Sequence, residues 1–245
     1  MALLQTPAAV DYGVLVDWQA LGFRLRRITA GNAVWLLLHQ DPGQCSGQGL
    51  YLIRQDAAAN LALQVPHGYF DQYTDDIAAG LLQAPVRVIA FNTARRNYTR
   101  HGSKVDADLA HRSDNFFTPL TRAFTLVFPY GRLVQLHGFN PAKRKSQAGQ
   151  TAVAIISSGS GTPSRDSTAV AACLQPLLGG PVRLYPTDVR ELGGTKNMQG
   201  RLLRAHGHDG FVHVELSHKI RERLRADDAL RGGFAACLSS RIPIP

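Results

Sequence analysis

The chain has 245 residues, of which 44% are hydrophobic and 18% are charged, a composition typical of a folded globular protein. It has 27 Lys and Arg against 18 Asp and Glu, and the net charge of +9 favours anionic partners such as acidic peptides, cell-wall polymers or nucleic acid. No apolar run approaches the roughly 20 residues of a membrane-spanning helix, so we expect no membrane span.

The three cysteines, Cys45, Cys173 and Cys237, lie far apart and form no CxxC pair. This spacing argues against a cysteine zinc site and permits at most one intramolecular disulfide. The first residues, MALLQTPAAV, lack a basic segment followed by an apolar one, so no signal peptide is visible.

Residues 1–60 alternate short apolar runs with turn-forming residues. The runs are VLVDW, AVWLLLH and LYLIR, and the turns include Asp41-Pro42-Gly43 and Gly47-Gln48-Gly49. This pattern predicts hairpins or a small antiparallel β layer. We expect it to precede a catalytic core over residues 61–230, within a single domain spanning 1–245.

From Leu61 onward, apolar runs that end in polar residues alternate with segments of helical periodicity. This alternation predicts an α/β fold with a mixed, mostly parallel sheet and helices on both faces. Ligands of such sheets bind at the carboxyl ends of the strands, where these polar residues fall.

The first such end is the segment VPHGYFD, with His67 after an apolar run and Asp71 four residues later. An imidazole nitrogen and a carboxylate oxygen directed at one point suit zinc. In the alternative interpretation, Asp71 caps a helix and His67 packs at the strand end.

A second histidine, His137, ends the apolar run LVQL and precedes Gly138, which lets backbone or ligand approach closely. His67 and His137 each end a strand, and each is followed by a glycine and an aromatic residue. The repetition favours one shared site over two structural histidines.

The segment FVHVELS is a strand in which alternation places Phe211, His213 and Glu215 on one face. A carboxylate in an apolar strand is costly unless it is paired or functional. We therefore predict Glu215 as a general base for a metal-activated water. The alternative is an ion pair with Lys219 or Arg221 on the following helix.

Further segments offer polar groups to a substrate. Asn92, Arg95 and Arg96 end another strand, and their amide and guanidinium groups suit a substrate carboxylate or a developing oxyanion. Arg201 and His111 are additional substrate-binding candidates, and His111 is also an alternative to Asp71 as a metal ligand. The GxSxG, HExxH, Walker A and strand-linked GxGxxG motifs of competing chemistries are absent.

The order of these elements resembles the zinc carboxypeptidase-like and N-acyl amino acid amidohydrolase group, which includes cell-wall zinc amidases. The resemblance covers roughly residues 61–224. It implies that His67, Asp71 and His137 bind zinc, that Glu215 acts as general base and acid, and that Asn92 with Arg95 or Arg96 binds the substrate. Carboxypeptidases have a glutamate three residues after the first histidine, whereas this chain has Phe70 there, and its nearest carboxylate is Asp71.

These observations predict a zinc hydrolase of an amide bond, in which Glu215 transfers the proton and Arg96, the second catalytic candidate, holds a substrate carboxylate or the oxyanion together with Asn92. We expect a carboxylate-bearing substrate such as a peptide, a cell-wall stem peptide or an N-acyl amino acid, and we do not favour nucleic acid. A non-catalytic binding module for an anionic polymer and a metal-dependent phosphoesterase are the alternatives. A basic enzyme of the cell wall would act in the periplasm or outside the cell, so we expect that location.

Overall fold

A computed structural model describes residues 2–5, 12–41, 47–56, 58–100 and 103–240. Nine of its strands form one mixed sheet in the order β1-β2-β3-β5-β4-β8-β11-β9-β10, and β6 and β7 form a separate hairpin. The strands are β1 (Phe23–Ala30), β2 (Ala33–Gln40), β3 (Leu50–Arg54), β4 (Leu61–Val65), β5 (Val88–Phe91), β6 (Asn97–Arg100), β7 (Ser103–Asp106), β8 (Arg132–Phe139), β9 (Ala154–Ser157), β10 (Val182–Leu184) and β11 (Phe211–Ser217).

The centre of the sheet is parallel: β5, β4, β8 and β11 all run in the same direction. Antiparallel strands β1, β2 and β3 extend this sheet at one edge, and β9 pairs antiparallel with β11 at the other. The predicted α/β class with a mixed, mostly parallel core is confirmed. The predicted antiparallel β layer of the first sixty residues is part of the same sheet.

Helices cover both faces of the sheet, as predicted. They are α1 (Ala2–Gln5), α2 (Tyr12–Ala20), α3 (Thr74–Ala79), α4 (Phe117–Val127), α5 (Gln147–Thr151), α6 (Arg165–Leu178), α7 (Met198–Ala205), α8 (His218–Ala226) and α9 (Asp228–Ser239). One apolar run of the amino-terminal region was interpreted wrongly, because residues 14–18 lie in helix α2 and not in a strand. A short apolar run is compatible with either element.

Strand alternation divides the core between the two faces. Val134, Val212 and Val214 pack in the largest cluster with helices α3, α6, α8 and α9. Leu133 and Phe211 point the other way, toward helices α4 and α7. Gln135 and His137 on β8, and His213 and Glu215 on β11, alternate with the valines and lie on this second face. The candidate site therefore lies on the side of α4 and α7.

Helix α6 shows how local sequence sets the boundaries of an element. At its start, the Ser164 and Ser167 side chains each accept a hydrogen bond from the other's backbone N–H, which forms a capping box. At its end, Gly179 takes a left-handed conformation with φ of 68°.

A disulfide joins Cys173 on α6 to Cys237 on α9, with their Cα atoms 5.6 Å apart. It links two helices that cover the same face of the sheet. Cys45 and most of the predicted turn at Asp41 lie outside the described residues. Among the described helices, none has the length and apolar character needed to cross a membrane.

Candidate metal centre

Three adjacent parallel strands bring the predicted residues to one edge of the sheet. His67 follows the end of β4 by two residues, His137 lies near the end of β8, and Glu215 lies in β11. The register of β8 and β11 pairs His137 directly with Glu215. His137 and Glu215, which are 78 positions apart in the sequence, therefore lie side by side.

His67, Asp71 and His137 form a compact group of potential ligands, whose donor atoms all lie within 4.8 Å of one another. Asp71 Oδ2 lies 3.7 Å from His67 Nδ1 and 3.4 Å from His137 Nδ1. Two ligands bound about 2.1 Å from a tetrahedral zinc ion lie about 3.4 Å apart. These three side chains therefore fit zinc, and both histidines are at least nine-tenths buried.

The turn that carries Asp71 is held from two sides. The Asp71 N–H donates to the His67 carbonyl over 2.8 Å, so the two residues share one tight turn. Arg221, which is 5% exposed, donates to the backbone carbonyl of Gln72. The next residue, Tyr73, has φ of 74°, a left-handed conformation that a bulky side chain rarely adopts. Strain of this kind is frequent at functional sites.

A second carboxylate, Asp108, accepts hydrogen bonds on the opposite side of His67. His67 Nε2 and His111 Nδ1 each lie 2.9 Å from it, and Arg96 Nε lies 2.6 Å away. Burial raises the pKa of Asp108, but the hydrogen bonds from His111 and His67 outweigh it and hold this pKa well below its usual range. The carboxylate therefore keeps the His67 proton on Nε2 and leaves the Nδ1 lone pair facing Asp71.

A group of potential ligands also includes His67, Asp108 and His111. The two histidines lie at hydrogen-bond distance from the Asp108 carboxylate. The Arg96 guanidinium already forms a hydrogen bond and an ion pair with the same carboxylate. A cation bound there would meet the positive charge of Arg96. This group therefore suits the orientation of His67 better than metal binding.

The proton on His137 is positioned by a buried glutamine. His137 Nε2 lies 3.2 Å from Gln135 Oε1, which also accepts from the Asn197 side chain. The Gln135 amide nitrogen donates to Gln64 at 2.8 Å and to Gln199 at 2.9 Å. This network is fully buried beneath the site, and it leaves His137 Nδ1 available toward Asp71.

Glu215 and His213 lie beside His137, and all three side chains are buried. Burial, reinforced by the charge of Asp71, raises the pKa of Glu215 to about 8. Burial, with the neighbouring histidines, lowers the pKa of His213 well below its usual value, so its imidazole is neutral. In the part of the chain that the structure describes, neither Lys219 nor Arg221 forms an ion pair with Glu215.

Of the predicted substrate-binding residues, some contact the histidine cluster through Asp108 and others do not. Arg96 is partly exposed and fixed to Asp108, and His111 is exposed and bound to the same carboxylate. Arg95 is exposed and has no hydrogen bond or ion pair within the described ranges. Arg201 is exposed on α7, where it donates to the Thr195 carbonyl over 3.4 Å, and no such bond joins it to the histidine cluster.

The Asn92 side chain forms its hydrogen bonds with backbone groups. Its side-chain amide donates to the carbonyls of Pro66 and Ala107, each over 2.8 Å, and its oxygen accepts from the Ala94 N–H over 3.0 Å. The side chain thereby ties the segment before His67 to the segment before Asp108. Its position explains how two residues 41 apart in sequence meet.

Sequence reasoning missed the parts played by Asp108, Gln135 and Arg221. The spacing of Asp108 and His111 within one turn was a signal, but it did not identify Asp108 as the shared partner. Gly138 was predicted to admit a close approach, and the approaching group is the Arg221 guanidinium. A Cβ at position 138 would lie 2.6 Å from Arg221 Nη1.

Comparison with known proteins gives no matching family model and no match among curated proteins. Among solved structures, the chain is similar to N-formylglutamate amidohydrolase from Ralstonia eutropha JMP134, with a TM-score of 0.52 and 12% identity over 77% of this chain and 97% of that one. It also matches a bacteriophage poly-gamma-glutamate hydrolase (TM-score 0.47, 11% identity, 86% and 89% of the two chains). A third match is an aspartoacylase family protein from Mesorhizobium loti MAFF303099 (TM-score 0.42, 13% identity, 85% and 70%).

The TM-scores of the last two lie below 0.5, so the likeness of fold rests on the first. It confirms the α/β fold implied by the resemblance to the zinc carboxypeptidase-like and N-acyl amino acid amidohydrolase group. This chain thus has the fold of a structurally known amidohydrolase, together with a buried histidine and carboxylate cluster at the carboxyl ends of its parallel strands.

Proposed function

We propose that this protein is a zinc-dependent hydrolase that cleaves an amide bond, either a peptide or an N-acyl bond, of a carboxylate-bearing substrate. The observation that carries the proposal is the convergence of His67, His137 and Asp71 beside the unpaired carboxyl of Glu215. The two histidines and Glu215 are buried, and the low polarity of their surroundings strengthens electrostatic interactions within the group.

We assign His67 Nδ1, His137 Nδ1 and Asp71 as the zinc ligands. Asp71 is preferred to His111 because His111 bonds to Asp108, on the Nε2 side of the His67 ring. Each histidine also has an acceptor for its other nitrogen, Asp108 for one and Gln135 for the other, which is the usual arrangement of zinc-binding histidines. A bound zinc ion would polarise the scissile carbonyl and lower the pKa of a water molecule.

Glu215 is the proposed general base and acid. Its Oε2 atom is buried and has no hydrogen-bond partner among the described residues. Burial raises its pKa to about 8, and a cation bound beside it would favour the ionised form, which can take a proton from the attacking water. The same carboxyl then returns the proton to the leaving nitrogen. Arg96 is held by Asp108 through Nε and Nη2, and its remaining N–H groups are available to a substrate carboxylate or oxyanion.

An acidic or carboxylate-bearing substrate is supported by the net charge of +9 and by the partly exposed guanidinium group of Arg96, which bonds to the partner carboxylate of His67. The name of the R. eutropha structure, N-formylglutamate amidohydrolase, describes a substrate of this kind. A cell-wall stem peptide has the same chemistry.

We further propose that the protein acts outside the cytoplasm, in the periplasm or after secretion. The disulfide between Cys173 and Cys237 supports this location, because such bonds persist in oxidising compartments and are rare in the cytosol.

The test is the metal content of protein purified without added metal, compared with a His137→Ala variant. We expect about one zinc per chain in the parent and none in the variant. His206→Ala, which removes an exposed histidine at the end of α7, is the matched control and keeps the zinc. Absence of zinc from the parent, even after incubation with the metal, would refute the proposal.

Activity is then measured on N-formylglutamate, other N-acyl amino acids and muropeptides. Glu215→Gln should keep one tightly bound zinc but lose about 10²- to 10⁴-fold in kcat, the usual contribution of a general acid and base. A Glu215→Gln variant with parental kcat would show that another group transfers the proton.

A further inference from the structure

One edge of the main sheet is open along strand β1. This strand stands at the end of the strand order and pairs with β2 alone. Apart from that ladder, none of its eight residues forms a backbone hydrogen bond within the described part of the chain. An open edge of this length presents a row of unpaired N–H and C=O groups, to which another strand can add.

The turn between β1 and β2 determines which backbone groups face the open edge. It has two residues and begins at Gly31, whose φ is 57°. Such a turn is closed by a hydrogen bond from the first N–H of β2 to the carbonyl of Ala30. Because antiparallel strands bond through alternate residues, the N–H and C=O groups of Leu25, Arg27 and Thr29 point away from β2.

The open edge is also basic. Arg24, Arg26 and Arg27 are all exposed. Arg24 pairs with Asp41 over 2.7 Å, whereas Arg26 and Arg27 have neither a hydrogen bond nor an ion pair among the described residues. Consecutive side chains of a strand point to opposite faces, so these two guanidinium groups would flank an added strand on both sides.

A groove of about 440 Å³ follows the same edge. It is lined by Leu15 and Gln19 of helix α2, by the first four residues of β1 and by Asp41. Leu15 and Leu25 are each partly exposed, so the groove offers apolar contacts beside the guanidinium groups. An extended chain lying here would find backbone partners, apolar surface and positive charge together.

We propose that β1 binds an extended acidic peptide segment, which joins the sheet as an additional strand. Backbone hydrogen bonds supply the affinity, and carboxylates of the peptide pair with Arg26 and Arg27. Four steps between neighbouring strands separate β1 from β4, the strand that leads to His67, so this surface lies about 19 Å from the candidate metal centre. The inference therefore does not depend on the proposed hydrolase function.

The charge of the edge disfavours a second copy of this chain as the occupant. If two β1 strands pair antiparallel about their midpoints, Arg26 of one copy lies opposite Arg27 of the other. A shift of one residue in either direction places one of these arginines opposite its own counterpart. Like charges directly opposite one another destabilise a strand pair, whereas an acidic strand gains opposite-charge pairs at the same positions.

The first experiment measures binding of a fluorescent ten-residue peptide of alternating Glu and Val, capped at both ends, to the full chain by anisotropy. We expect saturable binding that weakens as salt is added and that falls at least tenfold in a variant combining Arg26→Glu and Arg27→Glu. A variant combining Arg122→Glu and Arg190→Glu is the matched control, because it makes the same change in charge at two exposed arginines outside β1, and it should bind as the parent. His137→Ala should also bind as the parent, which distinguishes the edge from the candidate metal centre.

Backbone pairing is tested with two N-methylated forms of the peptide, one methylated at every Glu and the other at every Val. An added strand bonds to its neighbour through alternate residues, so one form should lose binding and the other should keep it. In the parent, the peptide should also slow amide hydrogen exchange at Leu25, Arg27 and Thr29, a measurement that does not depend on any variant folding.

Three results would overturn the proposal: no binding at millimolar peptide in low salt, equal binding to the parent and to the Arg26→Glu, Arg27→Glu variant, or equal binding of the two methylated peptides. A parent dimer in sedimentation that this variant dissociates would also overturn it, because the occupant of the edge would then be a second copy of the chain.

Discussion

The most direct test of how this site is organised is the Asp108→Asn substitution. The Asp108 carboxylate accepts from His67, His111 and Arg96, all three of which are donors. An asparagine has only one acceptor oxygen, and its NH₂ group would face at least one of these donors. If the variant loses its bond to His67, the imidazole is free to rotate and to change tautomer.

We expect zinc affinity to fall 10- to 100-fold, the usual effect of removing a group that orients a metal-binding histidine. This corresponds to about 1.4–2.8 kcal/mol of binding free energy. Competition with a chromophoric chelator of known zinc affinity measures it, and a thermal melt of the metal-free chain reports separately on folding.

Asp114→Asn is the matched control, because it removes the same charge from an exposed carboxylate that pairs with Arg112. Its zinc affinity should equal that of the parent. A folded Asp108→Asn variant that binds zinc as tightly as the parent and the control would refute the assigned role of this carboxylate.

Three further predictions concern stability. Reduction of the disulfide between Cys173 and Cys237, which closes a loop of 64 residues, should lower the free energy of unfolding by about 2–4 kcal/mol, measured in urea with and without reductant. The pKa of Glu191 is lowered to about 2 by hydrogen bonds from the Ser146 hydroxyl and from the backbone N–H groups of Lys145 and Ser146. The parent should therefore be more stable than Glu191→Gln at neutral pH, and thermal melts should show this advantage shrinking below about pH 4.5 and disappearing near pH 2. Gln135→Leu, which leaves buried donors without an acceptor, should cost about 3 kcal/mol of unfolding free energy and also weaken zinc binding in the chelator assay.

The sequence was sufficient to predict the residues at the strand ends, for a physical reason. Parallel strands end at the same edge of a sheet, so His67, His137 and Glu215 could be brought together from their positions after apolar runs alone. Alternation likewise predicted that Phe211 and Glu215 share one face of β11, and the two core clusters confirm that Phe211 faces away from Val212 and Val214.

The carboxylate of Asp108 could not be predicted in the same way. It follows the β6–β7 hairpin and reaches His67 through a turn that has neither helical nor strand periodicity. Its approach depends on Asn92, whose amide joins two backbone carbonyls from separate segments. Sequence patterns report the period of an element, but they do not report such contacts between irregular segments.

The polar layer beneath the site explains why this face of the sheet is not simply apolar. Gln64 and Gln135 occupy paired positions on β4 and β8, where an ordinary core would place leucine or valine. Their amides are hydrogen-bonded, which removes most of the cost of burying them. Asn197 connects this layer to a helix, because its oxygen caps α7 at the Gly200 N–H while its NH₂ group donates to Gln135. Asn197 thus fixes the start of helix α7 and, through Gln135, the orientation of His137. The nitrogen that we propose as a zinc ligand is therefore positioned by the packing of the fold itself.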